Sequence, residues 1–178
     1  MKKALIVANL GGFASFLLSD IELLQKMGYE ITYAANTHVL EWEDTRERLQ
    51  NRNVQIVNID FDSKKPFSVQ NINAYIQMKK LLKTGQYEVI HCHTPIAGLI
   101  TRIAARKLRR KGSRVIYTTH GFTFTQSSSK KQWLVFGTLE KWMSRLCDAI
   151  ITINREDYAN ALQTDILYTW RWREDGCI

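Results

Sequence analysis

Two patterns of apolar and polar positions alternate along most of the chain. Continuous apolar runs, typical of strands buried on both faces of a sheet, alternate with segments whose apolar residues recur every three or four positions, as in amphipathic helices. The runs that predict strands are Lys3–Leu10, Tyr29–Ala35, Val54–Ile59, Tyr87–His91, Arg114–Thr118 and Ala149–Ile153. Strands separated by helices indicate crossover connections, so we predict an α/β, Rossmann-like three-layer domain with a mainly parallel sheet over residues 1–161.

The segments between these runs predict helices with defined faces and ends. They are Ala14–Met27, Leu40–Arg52, Asn71–Lys83, Pro95–Arg110 and Gln132–Leu146, followed by a last helix with Asn154 as its N-cap. The inward faces of the first and fourth are expected to carry Phe16, Leu17, Ile21 and Leu24, and Ile96, Leu99, Ile100, Ile103 and Ala104, respectively. Thr94 is expected to cap the fourth helix, with Pro95 in its first turn.

Composition narrows the class of protein. The formal net charge of +8 favours anionic partners, which include phosphates, nucleic acid and acidic membrane surfaces. Cys92, Cys147 and Cys177 are too few and too scattered for a disulfide scaffold, which indicates a reducing compartment. The apolar stretch Ala4–Leu10 is short for a signal peptide, and no run approaches the roughly 20 apolar residues of a membrane span. We therefore expect a cytoplasmic location.

Ligands of parallel α/β sheets bind outside the carboxyl ends of the strands, so the residues that follow each strand are the candidates for function. Gly11 and Gly12 follow the first strand and precede a helix, where glycines let the backbone approach an anion closely. A plain tight turn explains this pair about as well. The stretch lacks the GxGxxG pattern and no acidic residue ends the second strand, so a dinucleotide cofactor is disfavoured.

Three histidines follow the fourth and fifth strands. His91 and His93 have the spacing of two metal ligands on a strand, but no carboxylate or further histidine stands nearby at metal-site spacing, so we expect no metal. One of the two is expected to line a cleft and the other to pack. His120 ends its strand in front of Gly121, and a histidine there can offer a hydrogen bond to a ligand near neutral pH. The alternative is a hydrogen-bonded structural histidine.

Basic residues are concentrated in two places. Those at the end of the fourth helix are Arg102, Arg106, Lys107, Arg109, Arg110 and Lys111, which favour a solvated face over a patch for lipid or nucleic acid. Residues Gly121–Trp142 mix aromatic and basic side chains, which fits either a membrane interface or a core helix with a solvated edge. The chain lacks helix-turn-helix spacing and the aromatic strand motif of RNA binders, so nucleic acid is not an expected partner.

Four stretches together resemble family 4 of the retaining GT-B glycosyltransferases, in the branch that builds capsular polysaccharides and exopolysaccharides. They are KALIVANLGGF at 3–13, YEVIHCHTPIAGLITRIAARK at 87–107, RVIYTTHGFTF at 114–124 and LEKWMSRLCDAIITINREDYANA at 139–161. They follow the order of the family. The resemblance implies one half of a GT-B fold, the half that mainly receives the acceptor, while a C-terminal domain that is absent here binds the nucleotide-sugar.

The resemblance also implies roles for particular residues. Gly11 and Gly12 would approach the phosphates or the sugar of the donor, and His120 would be the catalytic group that reaches the reacting sugar. The acceptor-side cleft would be lined by His93, Thr94, Gly121, Phe122, Arg155 and Glu156. The implied partners are a nucleotide-sugar and a lipid-linked saccharide acceptor, with possible contact to the inner face of the cell membrane. Neither a metal nor a cofactor is implied.

The tail, residues 162–178, departs from the family, which continues into a strand and a linker containing Pro-Gly. Tyr168–Arg173 can be encoded as TAT-ACC-TGG-CGT-TGG-CGT, which reads Ile-Pro-Gly-Val-Gly-Val when it is displaced by one base. We therefore hypothesise a frameshift near residues 162–166, genuine or a sequencing error. A chain without the donor-binding half is expected to be inactive alone. The alternatives are a non-enzymatic acceptor-binding module and one chain of a split transferase.

Overall fold

Six strands form a single sheet in which every neighbouring pair is parallel. The strands are β1 (Lys2–Leu10), β2 (Tyr29–Asn36), β3 (Gln55–Asn58), β4 (Val89–His93), β5 (Arg114–Thr119) and β6 (Ala149–Thr152). Their order is β3-β2-β1-β4-β5-β6. The computed structural model describes residues 2–38, 42–122, 129–164 and 166. Within these residues the predicted α/β, Rossmann-like fold with a parallel sheet is confirmed.

Helices connect the strands and cover both faces of the sheet. They are α1 (Leu18–Lys26), α2 (Glu43–Gln50), α3 (Val69–Gly85), α4 (Pro95–Arg109), α5 (Lys130–Gln132), α6 (Thr138–Ser144) and α7 (Arg155–Gln163). A 3-10 helix, Gly11–Leu17, precedes α1, and a π-helical segment, Trp133–Gly137, joins α5 to α6. Among the described residues, no helix combines the length and the apolarity that crossing a bilayer requires.

The apolar run of β1 is continuous because both of its faces are buried. Ala4, Ile6 and Ala8 point into one core with α1 and α2, whereas Leu5 and Val7 point into a second core with α3 and α4. All five side chains are inaccessible to solvent. Successive residues of a strand face opposite sides of the sheet. Where helices cover both sides, successive positions are therefore all buried and apolar.

The first predicted helix is correct in place but wrong in part of its buried face. Its first turns form the 3-10 helix, which has three residues per turn rather than 3.6 and therefore shifts the phase of the side chains. Leu17 and Ile21 are buried as expected, but 77% of Phe16 is exposed. The prediction assumed one α-helical period throughout, and the change of period brings Phe16 out of the core.

The predicted face of α4 also needs correction. Ile96 and Ile100 are buried, but 42% of Ile103 is exposed, and the neighbouring Arg102 is fully buried. Arg102 is therefore not part of a solvated basic face. Its guanidinium donates to both carboxylate oxygens of Glu140 on α6, at 3.0 and 3.2 Å, and lies 4.0 Å from the centre of the Tyr117 ring. A planar guanidinium suits this combination of a carboxylate and an aromatic face.

Breaking the buried ion pair of Arg102 is expected to destabilise the domain strongly. Glu140→Gln preserves the shape of the side chain but leaves the Arg102 charge uncompensated, which costs about 3 kcal/mol or more for buried pairs. The measurement is the free energy of unfolding in urea. Asp44→Asn is the control, since Asp44 pairs with Arg48 on the exposed face of α2 at 2.9 Å and should cost less than about 1 kcal/mol. Equal losses in the two variants would contradict a structural role for the Arg102–Glu140 pair.

Candidate active site

The strand order places a crevice between β1 and β4. The chain leaves β1 towards one side of the sheet and leaves β4 towards the other, so the segments that follow these strands diverge. Such a switch point is where α/β sheets of this order bind ligands. Here the Gly11–Leu17 helix follows β1, and Thr94 and α4 follow β4. The end of β5, with His120, lies next along the same edge.

Three imidazole rings line this edge in a connected cluster. His93 Nδ1 lies 3.2 Å from His120 Nε2, and the rings of His91 and His93 lie 4.1 Å apart. His91 Nε2 is 2.8 Å from Thr118 Oγ1 on β5. His91 and His93 are buried, whereas His120 is exposed. The expected division between one cleft histidine and one packed histidine is thus replaced by a buried pair that supports an exposed third ring.

Phe13, in the 3-10 helix, closes the cluster from the side of β1. The rings of Phe13 and His120 meet edge to face, with their centroids 4.8 Å apart. The centroid of the Phe13 ring also lies 6.2 Å from that of His93. Edge-to-face contacts of this kind fix the relative orientation of two rings. Phe13 therefore brings the segment that contains Gly11 and Gly12 into contact with His120. Sequence reasoning missed it, because a phenylalanine in a helical pattern is usually a core residue.

Burial keeps the inner histidines neutral. It is the main cause that lowers the pKa of His91 to about 4 and that of His93 to about 2, and the neighbouring imidazoles contribute to both shifts. Burial also lowers the pKa of His120, and the carboxylate of Asp20 partly offsets this effect by raising it. A neutral His93 has one ring N–H, so in the contact with His120 one ring donates and the other accepts. His93 Nε2 has no hydrogen-bond partner among the described residues.

Thr94 occupies the predicted N-cap position of α4, with Pro95 in the first turn, but its side chain makes no capping hydrogen bond. Its backbone has φ 64° and ψ 150°, a conformation that is rare for a β-branched residue. Its hydroxyl accepts from the Asn9 amide at 3.1 Å instead of capping the helix. The cap comes from β1, because Asn9 Oδ1 accepts from the amide of Ala97 at 2.7 Å. Residues that are far apart in sequence thus share one helix end, which no local pattern reveals.

The structure gives Gly11 a packing role. A Cβ atom at Gly11 would lie 2.6 Å from the indole ring of Trp42, whereas at Gly12 its nearest neighbour would be Trp42 Cβ at 3.4 Å. Trp42 is buried in the core between β1 and α2. The absence of a side chain at Gly11 therefore makes room for the indole. The proximity of both glycines to a donor stays a prediction.

The remaining predicted residues lie around the end of β5 and the start of α7. Gly121 has φ 122°, which favours glycine, and the buried Phe122 donates its amide to Asp157 Oδ1 at 3.0 Å. Asp157 also accepts from Asn154, the confirmed N-cap of α7. This link holds Arg155 and Glu156, both exposed in the first turn of α7, at the same edge of the sheet as the histidines. Asp157 is one of the residues after the sixth strand, where functional residues were expected, but the sequence assigned it no role of its own.

Asp20 is a further residue that sequence reasoning missed. It lies on α1, and one of its carboxylate oxygens and one nitrogen each of His91 and His93 lie within 4.8 Å of one another. The sequence shows no carboxylate at metal-site spacing because Asp20 comes from the opposite side of the crevice. Its charge raises the pKa values of His91 and His120 against the effect of burial. The expected absence of a metal stays a prediction.

The sequence is similar to those of known glycosyltransferases. A model of Glycosyltransferase Family 4 matches residues 10–165. EpsD of Bacillus subtilis (strain 168), named as a glycosyltransferase, is 38% identical over 162 residues, which are 90% of this chain and 40% of the relative. An Escherichia coli protein named as a UDP-Gal:alpha-D-GlcNAc-diphosphoundecaprenol alpha-1,3-galactosyltransferase is 32% identical over 89 residues, 50% of this chain and 22% of that one.

The fold also recurs in solved structures. Anabaena HepE, solved in complex with UDP and glucose, matches 92% of this chain and 41% of its own with a TM-score of 0.61 and 17% identity, a likeness that concerns the fold alone. This chain spans 40% of the length of EpsD and 22% of that of the Escherichia coli relative. Residues 165 and 167–178 lie outside the described residues, so the predicted frameshift and the domain bounds stay predictions.

Adding a methyl group at Gly11 is expected to destabilise the domain by about 1–3 kcal/mol, because the indole of Trp42 must move. Gly12→Ala is the matched control and should change the free energy of unfolding much less, since its new methyl group meets only an ordinary contact. Urea denaturation of both variants measures the difference. A Gly11→Ala protein as stable as the Gly12→Ala protein would refute the packing role of Gly11.

Acid is expected to destabilise the domain through His91. The unfolded chain binds a proton near pH 6.5, whereas folded His91 binds it only near pH 4. The contribution of neutral His91 to the free energy of unfolding is therefore complete above about pH 6.5. About 3 kcal/mol of it is lost as the pH falls towards 4. Unfolding free energies of the wild type and His91→Gln, measured from pH 7 to 4, should diverge in slope. Parallel slopes would show that folded His91 titrates normally.

Proposed function

This chain belongs to Glycosyltransferase Family 4, and from that premise we propose that it forms the acceptor-side half of a retaining transferase. In this proposal a sugar moves from a nucleotide-sugar to a lipid-linked saccharide during the synthesis of a bacterial surface polysaccharide. The names of the Bacillus and Escherichia coli relatives support the reaction class, and the Escherichia coli name supports a diphosphoprenol-linked acceptor. The reaction takes place at the cytoplasmic face of the membrane, and nucleic acid is not a partner.

The observation that carries the proposal is the placement of His120. It is an exposed imidazole at the carboxyl end of β5, beside the switch point, and it lies against the half-buried Phe13 and the buried His93. We assign its ring as the group that hydrogen-bonds the transferred sugar. Because Nε2 faces His93, Nδ1 is the nitrogen left for the ligand. An imidazole whose pKa is lowered stays neutral at physiological pH and can donate a hydrogen bond without bringing a charge.

The chemistry assigned to this half is binding and orientation. In a retaining transfer, the acceptor hydroxyl attacks from the face that the diphosphate leaves, so this domain need not supply a nucleophile. The charge that develops on the leaving diphosphate is stabilised by preorganised N–H groups and cations. Gly11 and Gly12 are assigned to that side of the crevice. His93, Thr94, Gly121, Phe122, Arg155 and Glu156 are assigned to the acceptor side.

The donor site is assigned mainly to a second domain, since this chain spans 40% of the length of EpsD. Residues 1–178 should therefore bind the acceptor without completing turnover. Losing a single well-placed hydrogen-bond donor to a developing charge slows a reaction on the order of a hundredfold, and the proposal assigns most of the donor site to residues outside 1–178. The alternative functions, an acceptor-binding module and one chain of a split transferase, share this acceptor site.

The test is a titration of the chain with a short-chain, diphosphoprenol-linked disaccharide, followed through the imidazole NMR signals. We expect the signals of His120 and His93 to shift at saturation, and Lys26→Gln to behave like the wild type. His120→Asn should weaken binding by about tenfold, equivalent to one hydrogen bond. A mass-detected transfer assay with UDP-sugars should show no multiple turnover. Acceptor binding that leaves His120 unperturbed, or turnover by this chain alone, would contradict the proposal.

A further inference from the structure

The two helical layers of the domain differ sharply in charge. Between residues 63 and 139, which include α3, α4 and α5, the only acidic residue is Glu88. The layer formed by α1 and α2 carries Asp20, Glu22, Glu43, Asp44 and Glu47. The net charge of +8 is therefore distributed unevenly, and one side of the sheet is basic. Such an asymmetry orients a protein towards a surface of negative charge.

The outer face of α3 adds apolar side chains to this basic side. Val69, Ile72 and Ile76 recur at the spacing of one helical stripe and are 73%, 59% and 59% exposed. The stripe continues towards the end of the helix with Lys79, Lys80 and Lys83, all exposed. The opposite side of α3 is buried against the sheet through Ala74, Met78 and Leu82. We call the exposed stripe, from Val69 to Lys83, the α3 stripe.

A fixed turn extends the α3 stripe at its beginning. Phe67 is fully exposed, and Lys64 and Lys65 stand beside it. The turn is held by Asn71, whose side-chain amide donates to the carbonyl oxygens of Asp62, Lys65 and Pro66 at 3.0–3.1 Å. The same side chain accepts from the Asp62 amide at 3.0 Å. An aromatic ring at the tip of a pinned turn is presented outward with little loss of entropy on binding.

We propose that the α3 stripe, with Phe67, is the surface by which this domain lies on a membrane that contains anionic lipids. Helices that lie at a membrane interface carry apolar side chains flanked by lysines. Their apolar side chains enter the boundary between headgroups and acyl chains, and their ammonium groups bind lipid phosphates. A nucleic acid would use the lysines but would leave Val69, Ile72 and Ile76 in water. The exposed basic end of α4, with Arg106, Lys107, Arg110 and Lys111, extends the same charged side.

The orientation fits the position of the site. A helix that follows a parallel strand starts at the carboxyl edge of the sheet, so Phe67 and Val69 lie towards the edge that carries the histidines. A lipid-linked acceptor would then leave the bilayer beside the crevice. Only this role in presenting the acceptor rests on the proposed function. Vesicle binding requires neither donor nor acceptor, so its failure would leave the transfer proposal standing.

The experiment measures binding of the 178-residue chain to phosphatidylcholine vesicles with and without phosphatidylglycerol, by flotation at physiological salt. Binding should require the anionic lipid. The double variant Ile72→Ser/Ile76→Ser should weaken it by about tenfold or more. Lys79→Gln/Lys80→Gln/Lys83→Gln should weaken it on the order of a hundredfold. Circular dichroism and thermal unfolding check that each variant is folded. We expect all of them to fold, because the substituted side chains are exposed.

Matched controls come from the other helical layer. Leu23 and Met27 are 58% and 59% exposed at the end of α1, so Leu23→Ser/Met27→Ser removes similar apolar surface. Lys26→Gln/Arg46→Gln/Arg48→Gln removes the same charge. Both controls should bind like the wild type. The proposal is overturned if either control weakens binding as much as its partner, or if the chain binds no vesicles.

Two further outcomes would also overturn it. Loss of vesicle binding confined to Leu139→Ser/Trp142→Ser would assign the membrane surface to α6 instead, where both side chains are exposed. RNA binding that is retained at physiological salt, lost in the lysine variant and unchanged in the isoleucine variant would identify a nucleic-acid surface. A tenfold or larger effect of the isoleucine variant with anionic vesicles distinguishes the proposal from both.

Discussion

The hydrogen bonds of Asn9 join the two strand ends on which the candidate site is built. Its amide donates to Thr94 and its side-chain oxygen caps α4 at Ala97. β1 and β4 pair in the sheet as far as Val7 and Cys92, and the chain then leaves the two strands towards opposite layers. This link at the switch point closes the base of the crevice. It also fixes the unusual backbone of Thr94, directly after His93, and thereby the direction in which α4 starts.

The state of the histidines follows from this arrangement. His93 ends a central strand and is buried between Phe13, His91 and His120, which makes its protonation unfavourable. A neutral buried ring positions the exposed His120 without adding a positive charge to it. Asp20 stands on the other side of the crevice and opposes the effect of burial. The environment thus separates two inner rings, which serve position, from an outer ring that can meet a ligand.

The sequence predicted the fold well because its signal is local and repeated. A buried parallel strand needs apolar residues on both faces, and β1, β2 and β5 meet that need within a residue or two of the predicted bounds. Two of the failures involve contacts between distant segments, and the third comes from a local change of helical period. Arg102 is buried because Glu140 on another helix receives it. The start of α4 is capped from β1. Phe16 is exposed because the helix before α1 has a 3-10 period, for which a pattern search has no signal.

The candidate site was predictable in the same unequal way. The rule that ligands bind at strand ends selected the histidines and Gly121 from their position alone. It gave no access to Phe13 and Asp20, because each reaches the site from a helix whose register only the folded chain defines. The charge of the two layers was hidden for the opposite reason. It can be counted in the sequence, but it acquires meaning only when the strand order assigns α3 and α4 to one side of the sheet. Two features of such a domain therefore depend on the fold as a whole: the strand ends determine which side chains meet at the edge of the sheet, and the strand order determines which helices share a face.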